Sequence, residues 1–337
     1  MTLDDFRARA LSDKIVKALI EATEAYVTMD VLVNEHLTIR PALSDILLSL
    51  DSYYSLLDIQ PDICHICHSL YVPIQTDTIT RTIRTIVASI GYAQDRLETI
   101  GVLTAGDLLR IDDAVNNTSV ELLTACCYSS NQESKIGIVW SILHDLYGPK
   151  RQHTLIMETA VACYRFLTLS SDCSLNLQTL IILFSALFRN NLAFQGLQRQ
   201  WILSTDPQLN LCSIDIEDAL THILEVFKVM WKYTTVFIRR LNDKQNEISQ
   251  FIIKRLPVQT SEGFHKLLAG NLCLRNQYVS EILHISPKTA IKHLKMFEQE
   301  NALYSIKTGR EIFYFNNMLL DLLKQTTEVY LNGSEKP

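Results

Sequence analysis

Five basic residues lie close together near the carboxyl end of the sequence, within residues 284–310. Lys288, Lys292 and Lys295 are spaced at i, i+4 and i+7, so a helix would carry them on one face. Lys307 and Arg310 follow, and the same stretch holds two acidic residues. Residues 1–255 instead carry 22 Lys and Arg against 29 Asp and Glu, a net charge of −7. Basic charge concentrated in one part of an acidic chain is typical of a surface that contacts phosphates.

The residues before these lysines predict a short helix and a tight turn. The helix would run from about Asn276 to His284. Its apolar residues at helical spacing are Val279, Ile282 and Leu283, which we expect to be buried. Ser286-Pro287 then indicates a new helix start, because a serine accepts a bond from an unpaired amide and proline suits the first helical position.

The next helix carries an apolar stripe, Ala290, Leu294 and Phe297, on a different face from the lysines. Two short runs rich in aromatic and β-branched residues follow, 302–307 and 311–315, joined through Thr308-Gly309. Helix, turn, helix and hairpin in this order predict a winged helix-turn-helix.

This order of elements favours contact with double-stranded DNA. A recognition helix presents side chains to base edges in the major groove, and lysines along it meet phosphates or guanine acceptors. The residues expected to face bases are Lys288, Thr289, Lys292 and His293, and those expected to meet phosphate or the minor groove are Lys295, Lys307 and Arg310. A homodimer is expected, because one recognition helix covers few base pairs.

The rest of the chain predicts a mostly α protein. At 337 residues and 47% hydrophobic composition, it can form a large core, and most of residues 1–255 show helical periodicity. The expected domains are a helical domain (1–212), a long connecting helix (213–256), the winged helix (257–330) and a flexible tail (331–337). The predicted helices are Asp13–Glu35, Arg40–Leu57, Pro61–Tyr71, Asp77–Ile100, Thr104–Asn116, Ser119–Tyr128, Glu133–Tyr147, Gln152–Leu169, Leu175–Asn190 and Ile214–Leu256.

The longest of these helices precedes the winged helix. Its apolar stripe is interrupted by the polar run NDKQNE, residues 242–247, where a bend or break is expected. Leu256-Pro257 should end the helix, and VQTSEG, residues 258–263, should be the linker that follows.

The run CHICH, Cys64 to His68, has the spacing of a c-type haem attachment or half of a zinc site. Haem attachment needs an exported protein, and a closed zinc site usually needs a second ligand pair that the other cysteines do not supply. Buried thiols on a helix are the favoured interpretation. No metal or cofactor is expected.

Other chemical motifs are missing from the sequence. It has no glycine-rich phosphate loop, no paired metal-ligating histidines and no nucleophile beside a base. The sequence shows no secretory signal and no apolar run long enough to cross a bilayer, so a cytoplasmic location is expected.

The carboxyl-terminal third resembles Fic-family proteins that end in a winged helix, which read approximately SxxTAxxxLxxLxxxGILxxxTGRxRxxxYxxxxLLDLL. The matching positions are Ser286, Thr289, Ala290, Leu294, Phe297, Asn301-Ala302-Leu303, Thr308-Gly309-Arg310, Tyr314 and Leu319 to Leu323. The match covers about 120 residues, and the helix Ile214–Leu256 lies where the family has its helix after the catalytic core.

The resemblance implies a nucleotide-transfer domain whose H-P-F-x-x-G-N-G-R loop supplies a general base and holds phosphates. That loop is missing, and the region expected to hold it reads RNNLAFQGLQRQ, residues 189–200. The expectation is a degenerate, non-catalytic relative with no catalytic residue. A DNA-binding regulator is the leading hypothesis; the alternatives are a Fic-type transferase with a deviant loop and a scaffold whose winged helix binds protein.

Overall fold

The computed structural model describes residues 11–35, 62–73, 77–100, 103–104, 106–107, 110–111, 114, 154–169 and 215–332. The helices of these residues are α1 (Asp13–Glu35), α2 (Ile63–Tyr71), α3 (Thr78–Ile100), α4 (Leu155–Leu169), α5 (Ile216–Ile253), α6 (Val258–Gly270), α7 (Asn276–Leu283), α8 (Pro287–Gln299) and α9 (Asn317–Asn332). The strands are β1 (Cys273–Arg275), β2 (Leu303–Thr308) and β3 (Glu311–Asn316). The prediction of a mostly α protein that ends in a winged helix-turn-helix is confirmed.

Helices α1 to α4 end at the predicted residues. Other predicted helices lie outside the described residues: Arg40–Leu57, Ser119–Tyr128, Glu133–Tyr147 and Leu175–Asn190. Thr104–Asn116 is described only in part. Helix α9 continues to Asn332, two residues into the predicted tail. Within the described residues no helix is both long and apolar enough to cross a membrane.

The chain divides into two compact units, Met1–Asp30 with Arg84–Tyr233 and Val31–Ile83 with Thr234–Pro337. This division differs from the predicted boundary after residue 212. Helix α2, which the sequence assigned to the helical domain, belongs to the same unit as the winged helix.

In the first unit, α1 packs against the beginning of α5. The ring of Tyr26 meets that of the fully buried Trp231 edge-on, with centroids 5.4 Å apart. Ion pairs join Lys14 to Asp218 and Lys228 to Glu21. The side chains of α1 that are buried include Ile15, Ala18, Ala22, Ala25 and Met29, one helical stripe.

In the second unit, α5 continues through residues 242–247, so the predicted bend or break is wrong. The polar run is accommodated because Gln245 is buried and its side-chain amide donates to the Ala269 carbonyl over 2.8 Å. A buried amide with a partner avoids the cost of desolvation without a hydrogen bond.

The predicted linker is also wrong, because residues 258–263 form the first half of α6, with Pro257 as N-cap. Gly263 explains the close packing of α6 on α7. A Cβ at this position would lie 2.5 Å from Leu283 Cδ2. The missing side chain of Gly263 therefore leaves room for Leu283, and this glycine lies in a helix and not in a turn.

The sheet has three strands in the order β1-β3-β2, one strand more than the predicted hairpin. Both pairings are antiparallel, with Cys273 opposite Phe315 and Tyr304 also opposite Phe315. Thr308 pairs with Glu311, so the hairpin loop is Gly309-Arg310. Gly309 has φ 61°, the positive value that the first position of a type II′ turn requires.

The core of the winged helix depends on Leu294, which is fully buried. Leu294→Ala should lower the free energy of unfolding of the full chain by about 2–5 kcal/mol, through lost burial and the cavity left behind. Chemical denaturation measures this change. The matched control is Ile282→Ala on α7, where the side chain is 52% exposed; it should cost less than about 1 kcal/mol. Equal losses for the two variants would contradict the inward orientation of Leu294.

Candidate nucleic-acid interface

Helix α8 begins as the sequence predicted. The hydroxyl of Ser286 accepts a hydrogen bond from the Thr289 amide over 3.1 Å, and Pro287 occupies the first helical position. The turn before α8 contains His284, whose backbone is in the left-handed region, with φ 51° and ψ 38°. This left-handed C-cap ends α7 and lets the chain reverse into α8.

The two faces of α8 are sharply different. Ala290, Leu294 and Phe297 are all fully buried, as predicted. Lys288, Lys292 and Lys295 are exposed. At about 100° per residue, they lie about 140–200° around the helix from Ala290. The face opposite the core is therefore a row of lysines.

His293 does not share that open face. Its ring lies edge-on to Phe264 of α6, with centroids 5.1 Å apart, and it is half-buried. Burial lowers the pKa of His293, and the neighbouring Lys292 lowers it further. Thr289 is also half-buried, and its hydroxyl lies 2.8 Å from that of Ser286. Of the four residues expected to face bases, Lys288 and Lys292 have the most open positions.

Ile282 and Leu283 also depart from expectation. Of the three apolar residues predicted to be buried on α7, Val279 is buried, Leu283 is half-buried and Ile282 is 52% exposed. Of the eight residues of α7, Val279 is the one that is buried.

The wing supplies the other two candidate cations. Lys307 lies at the end of β2 and Arg310 lies in the hairpin loop, and both are exposed. The two-residue loop keeps the strands paired up to Thr308 and Glu311.

The five candidate cations of α8 and the wing differ from the other basic residues of 258–332 in their ion pairing. Each of the other three lies beside a carboxylate: Lys266 beside Glu262 at 2.9 Å, Arg275 beside Glu311 at 3.8 Å and Lys324 beside Asp321 at 3.9 Å. Within the described residues, no ion pair involves Lys288, Lys292, Lys295, Lys307 or Arg310.

The carboxylates at the end of α8 already have other partners. Glu298 accepts a hydrogen bond from the Ser305 hydroxyl at 2.5 Å, and Glu300 pairs with Arg255 of the second unit. Within the described residues, neither carboxylate forms an ion pair with a cation of α8 or the wing.

The CHICH run forms part of α2. Cys67 is buried and Cys64 half-buried, and burial raises the pKa of the Cys64 thiol. His65 lies 3.6 Å from Asp77, whereas His68 faces Tyr304. No group of three or more potential ligands able to hold a metal occurs in the part of the chain that the structure describes.

No protein-family model matches the chain, and no curated protein matches it significantly. The interpretation of the basic surface therefore depends on its own geometry and charge.

The burial of His293 gives a pH-dependent prediction. Its pKa is lower in the folded protein than in the unfolded chain, so the unfolded chain takes up the proton first as the pH falls. The stability that neutral His293 supports is present above the unfolded pKa of about 6.5 and is lost below it. His293→Gln cannot titrate, so its melting temperature should fall less than that of the wild type between about pH 7 and pH 5. An equal fall in melting temperature for the two proteins would contradict the claim that neutral His293 supports stability.

Proposed function

We propose that this protein binds double-stranded DNA through its winged helix and acts as a transcriptional regulator. The observation that carries the proposal is the set of five exposed cations on α8 and the wing that form no ion pair within the described residues. Exposed cations on a helix face and a hairpin tip are the groups with which a winged helix contacts the phosphates and grooves of a duplex.

The geometry of α8 favours distinct roles for its residues. Lys288 and Lys292 lie in the first half of the helix, the part that enters a major groove, and can donate to guanine O6 and N7 or to phosphate. Lys295 lies one turn further on. Thr289 and His293, four residues apart, lie together along one edge of this face; both are half-buried and are better suited to positioning than to base contact. A cytoplasmic location is part of the proposal.

The alternatives remain distinguishable. A scaffold whose winged helix binds protein would not need DNA at all, and its contacts would not follow the salt law of counterion release. A Fic-type transferase would attach labelled nucleotide to itself or to another protein, and no catalytic residue for that reaction is proposed.

Lys292 provides the direct test of DNA binding. Fragments selected from genomic DNA by the full chain supply the probe, and binding is measured by fluorescence anisotropy across a range of salt concentrations. Lys292→Ala should lower the salt slope by about one unit for a phosphate contact, or cost about 1–3 kcal/mol at one base position for a base contact. Its fold should not change, because Lys292 is exposed.

The matched control is Lys266→Ala, an exposed lysine of the same module that pairs with Glu262. It should bind DNA as the wild type does. Equal effects of Lys292→Ala and Lys266→Ala would show that only the net charge of the protein affects DNA binding. Unchanged binding by Lys288→Ala, Lys292→Ala and Arg310→Ala would favour a protein-contact module.

The homodimer that such a regulator needs has a candidate surface on α1. Opposite its buried stripe, α1 carries a second apolar row that is between 38% and 52% exposed: Val16, Ile20, Val27 and Val31. The spacings of 4, 7 and 4 residues read the same from both ends. A two-fold antiparallel pair would therefore place Ile20 against Val27 of a second copy and Val16 against Val31.

A charge exchange tests this pairing. Ile20→Lys alone and Val27→Glu alone should each shift the protein toward monomer in sedimentation velocity, because each buries an unpaired charge. The double variant should recover the dimer, since Lys at 20 then meets Glu at 27 of the other copy. Within one helix the two positions are about 10 Å apart and cannot pair directly. A monomeric wild type, or a double variant no better than either single one, would reject this surface.

A further inference from the structure

The sheet of the winged helix is apolar on both faces. Side chains alternate along a strand, so Tyr314 and Ser305 point to one face and Phe315 and Tyr304 to the other. The first face meets α8, where Ser305 bonds Glu298. The second face cannot be open to solvent, because Phe313 is 3% exposed and Phe315 is fully buried. Something outside the strands and α8 must cover it.

Helix α2 covers this second face. The ring of His68 lies edge-on to Phe315, with centroids 4.7 Å apart, and the ring of Tyr71 lies 6.2 Å from the same phenylalanine. His68 and Tyr71 are three residues apart and therefore lie on the same side of α2. Helix α2 also packs against α9. A helix about 230 positions earlier in the chain thus completes the module.

One polar contact joins α2 to the wing. His68 Nε2 lies 2.5 Å from the hydroxyl of Tyr304, and Tyr304 stacks on Phe315 with centroids 5.4 Å apart. Burial lowers the pKa of His68 and raises that of Tyr304, so this is a bond between neutral groups near pH 7. The half-buried contact is directional, whereas the ring contacts around it are not.

Tyr304 belongs to the strand that carries the wing cations. Lys307 lies three residues after it on β2, and the hairpin loop with Arg310 follows. A two-stranded ribbon that projects from a sheet takes its direction from the last residues held firmly at its base. Strand β1 pairs with β3 from Phe315 to Phe313, and Tyr304 lies opposite Phe315 in this three-stranded base.

We propose that His68 is a positioning residue for the wing, holding β2 through Tyr304 so that Lys307 and Arg310 meet DNA beside the recognition helix. The role of His68 in DNA binding rests on the proposed function, whereas the placement of His68 against the wing rests on the contacts of α2. Helix α2 is then part of the DNA-reading module and not of the helical domain.

The experiment compares two histidines of the same helix. His68→Ala removes the contact to Tyr304, and His65→Ala is the matched control, because His65 faces Asp77 and Thr80 instead of the sheet. The full chain is titrated with its selected DNA fragment over a range of salt concentrations. We expect His68→Ala to weaken binding about tenfold. The salt slope should fall by about one to two units, because one or both of the phosphate contacts made by Lys307 and Arg310 would be lost. His65→Ala should leave both unchanged.

Two further variants separate positioning from simple stability. His68→Gln places an amide near the position of the imidazole nitrogen and should restore most of the affinity. In a Lys307→Ala, Arg310→Ala background, His68→Ala should have no additional effect, because the groups through which it acts are gone. Losses that add in this background, or a lowered melting temperature with unchanged salt slope, would overturn the proposal.

Hydrogen–deuterium exchange gives a readout that needs no DNA. Amides of residues 303–316 should exchange faster in His68→Ala than in the wild type and in His65→Ala, and His68→Gln should reverse the change. If the wild-type protein binds no DNA, the proposed function is rejected. The exchange pattern would still show whether His68 holds β2 and β3 in place. Unchanged exchange in a protein that binds DNA would reject the positioning alone.

Discussion

Burial of Phe297 sets the orientation of everything the winged helix can present. Its ring packs on Phe264 of α6 and Phe251 of α5, with centroids 5.5 and 5.8 Å away. Three aromatic rings from three helices form a contact that is large, apolar and geometrically specific. Because Phe297, Leu294 and Ala290 must face this cluster, Lys288, Lys292 and Lys295 must face solvent. The open row of cations is thus a consequence of the core.

A second consequence concerns the independence of the module. Winged helices are often treated as separable, but here the outer face of the sheet is covered by α2. Residues 257–337 alone would expose Phe315 and Tyr304. Removing a buried phenylalanine from its neighbours is costly, since each large apolar side chain contributes about 1.5–3 kcal/mol on burial. The compact unit that contains the winged helix therefore includes a helix from the first quarter of the chain.

Strong local signals made part of this fold predictable from sequence. The serine cap, the proline after it and the stripe of Ala290, Leu294 and Phe297 all lie within twelve residues, so α8 could be placed with its inward face correct. The errors occurred where tertiary contacts outweigh local preference. The polar run around Gln245 predicted a helix break, whereas the bond from Gln245 to the Ala269 carbonyl lets the helix continue. Gly263 looked like a linker residue, whereas it permits close helix packing against Leu283.

The sequence carried a weaker signal for the packing of α2 against the sheet. Residues 312–315, IFYF, do not alternate between apolar and polar, which indicates a strand covered on both faces. That pattern says that a cover exists but not which segment supplies it, since the cover lies about 230 residues away. The three-residue strand β1 is likewise too short to carry a pattern of its own. The positions of Lys288, Lys292 and Lys295 could be predicted because they follow helix geometry, but the support behind the wing could not.

The charge distribution explains why placement matters more than amount. The chain carries a formal net charge of −6, so as a whole it is repelled by a polyanion. At physiological salt the Debye length is about 8 Å, which confines attraction to cations that approach the phosphates closely. Lysines paired with glutamates contribute little to such an approach, and Lys266, Arg275 and Lys324 are each beside an acidic residue. Under the proposed function, the attraction comes from the cations of α8 and the wing, which form no ion pair within the described residues. Helix α8 is held in its orientation by the burial of Phe297, and the wing is held by the sheet, whose outer face packs on His68 and Tyr71 of α2.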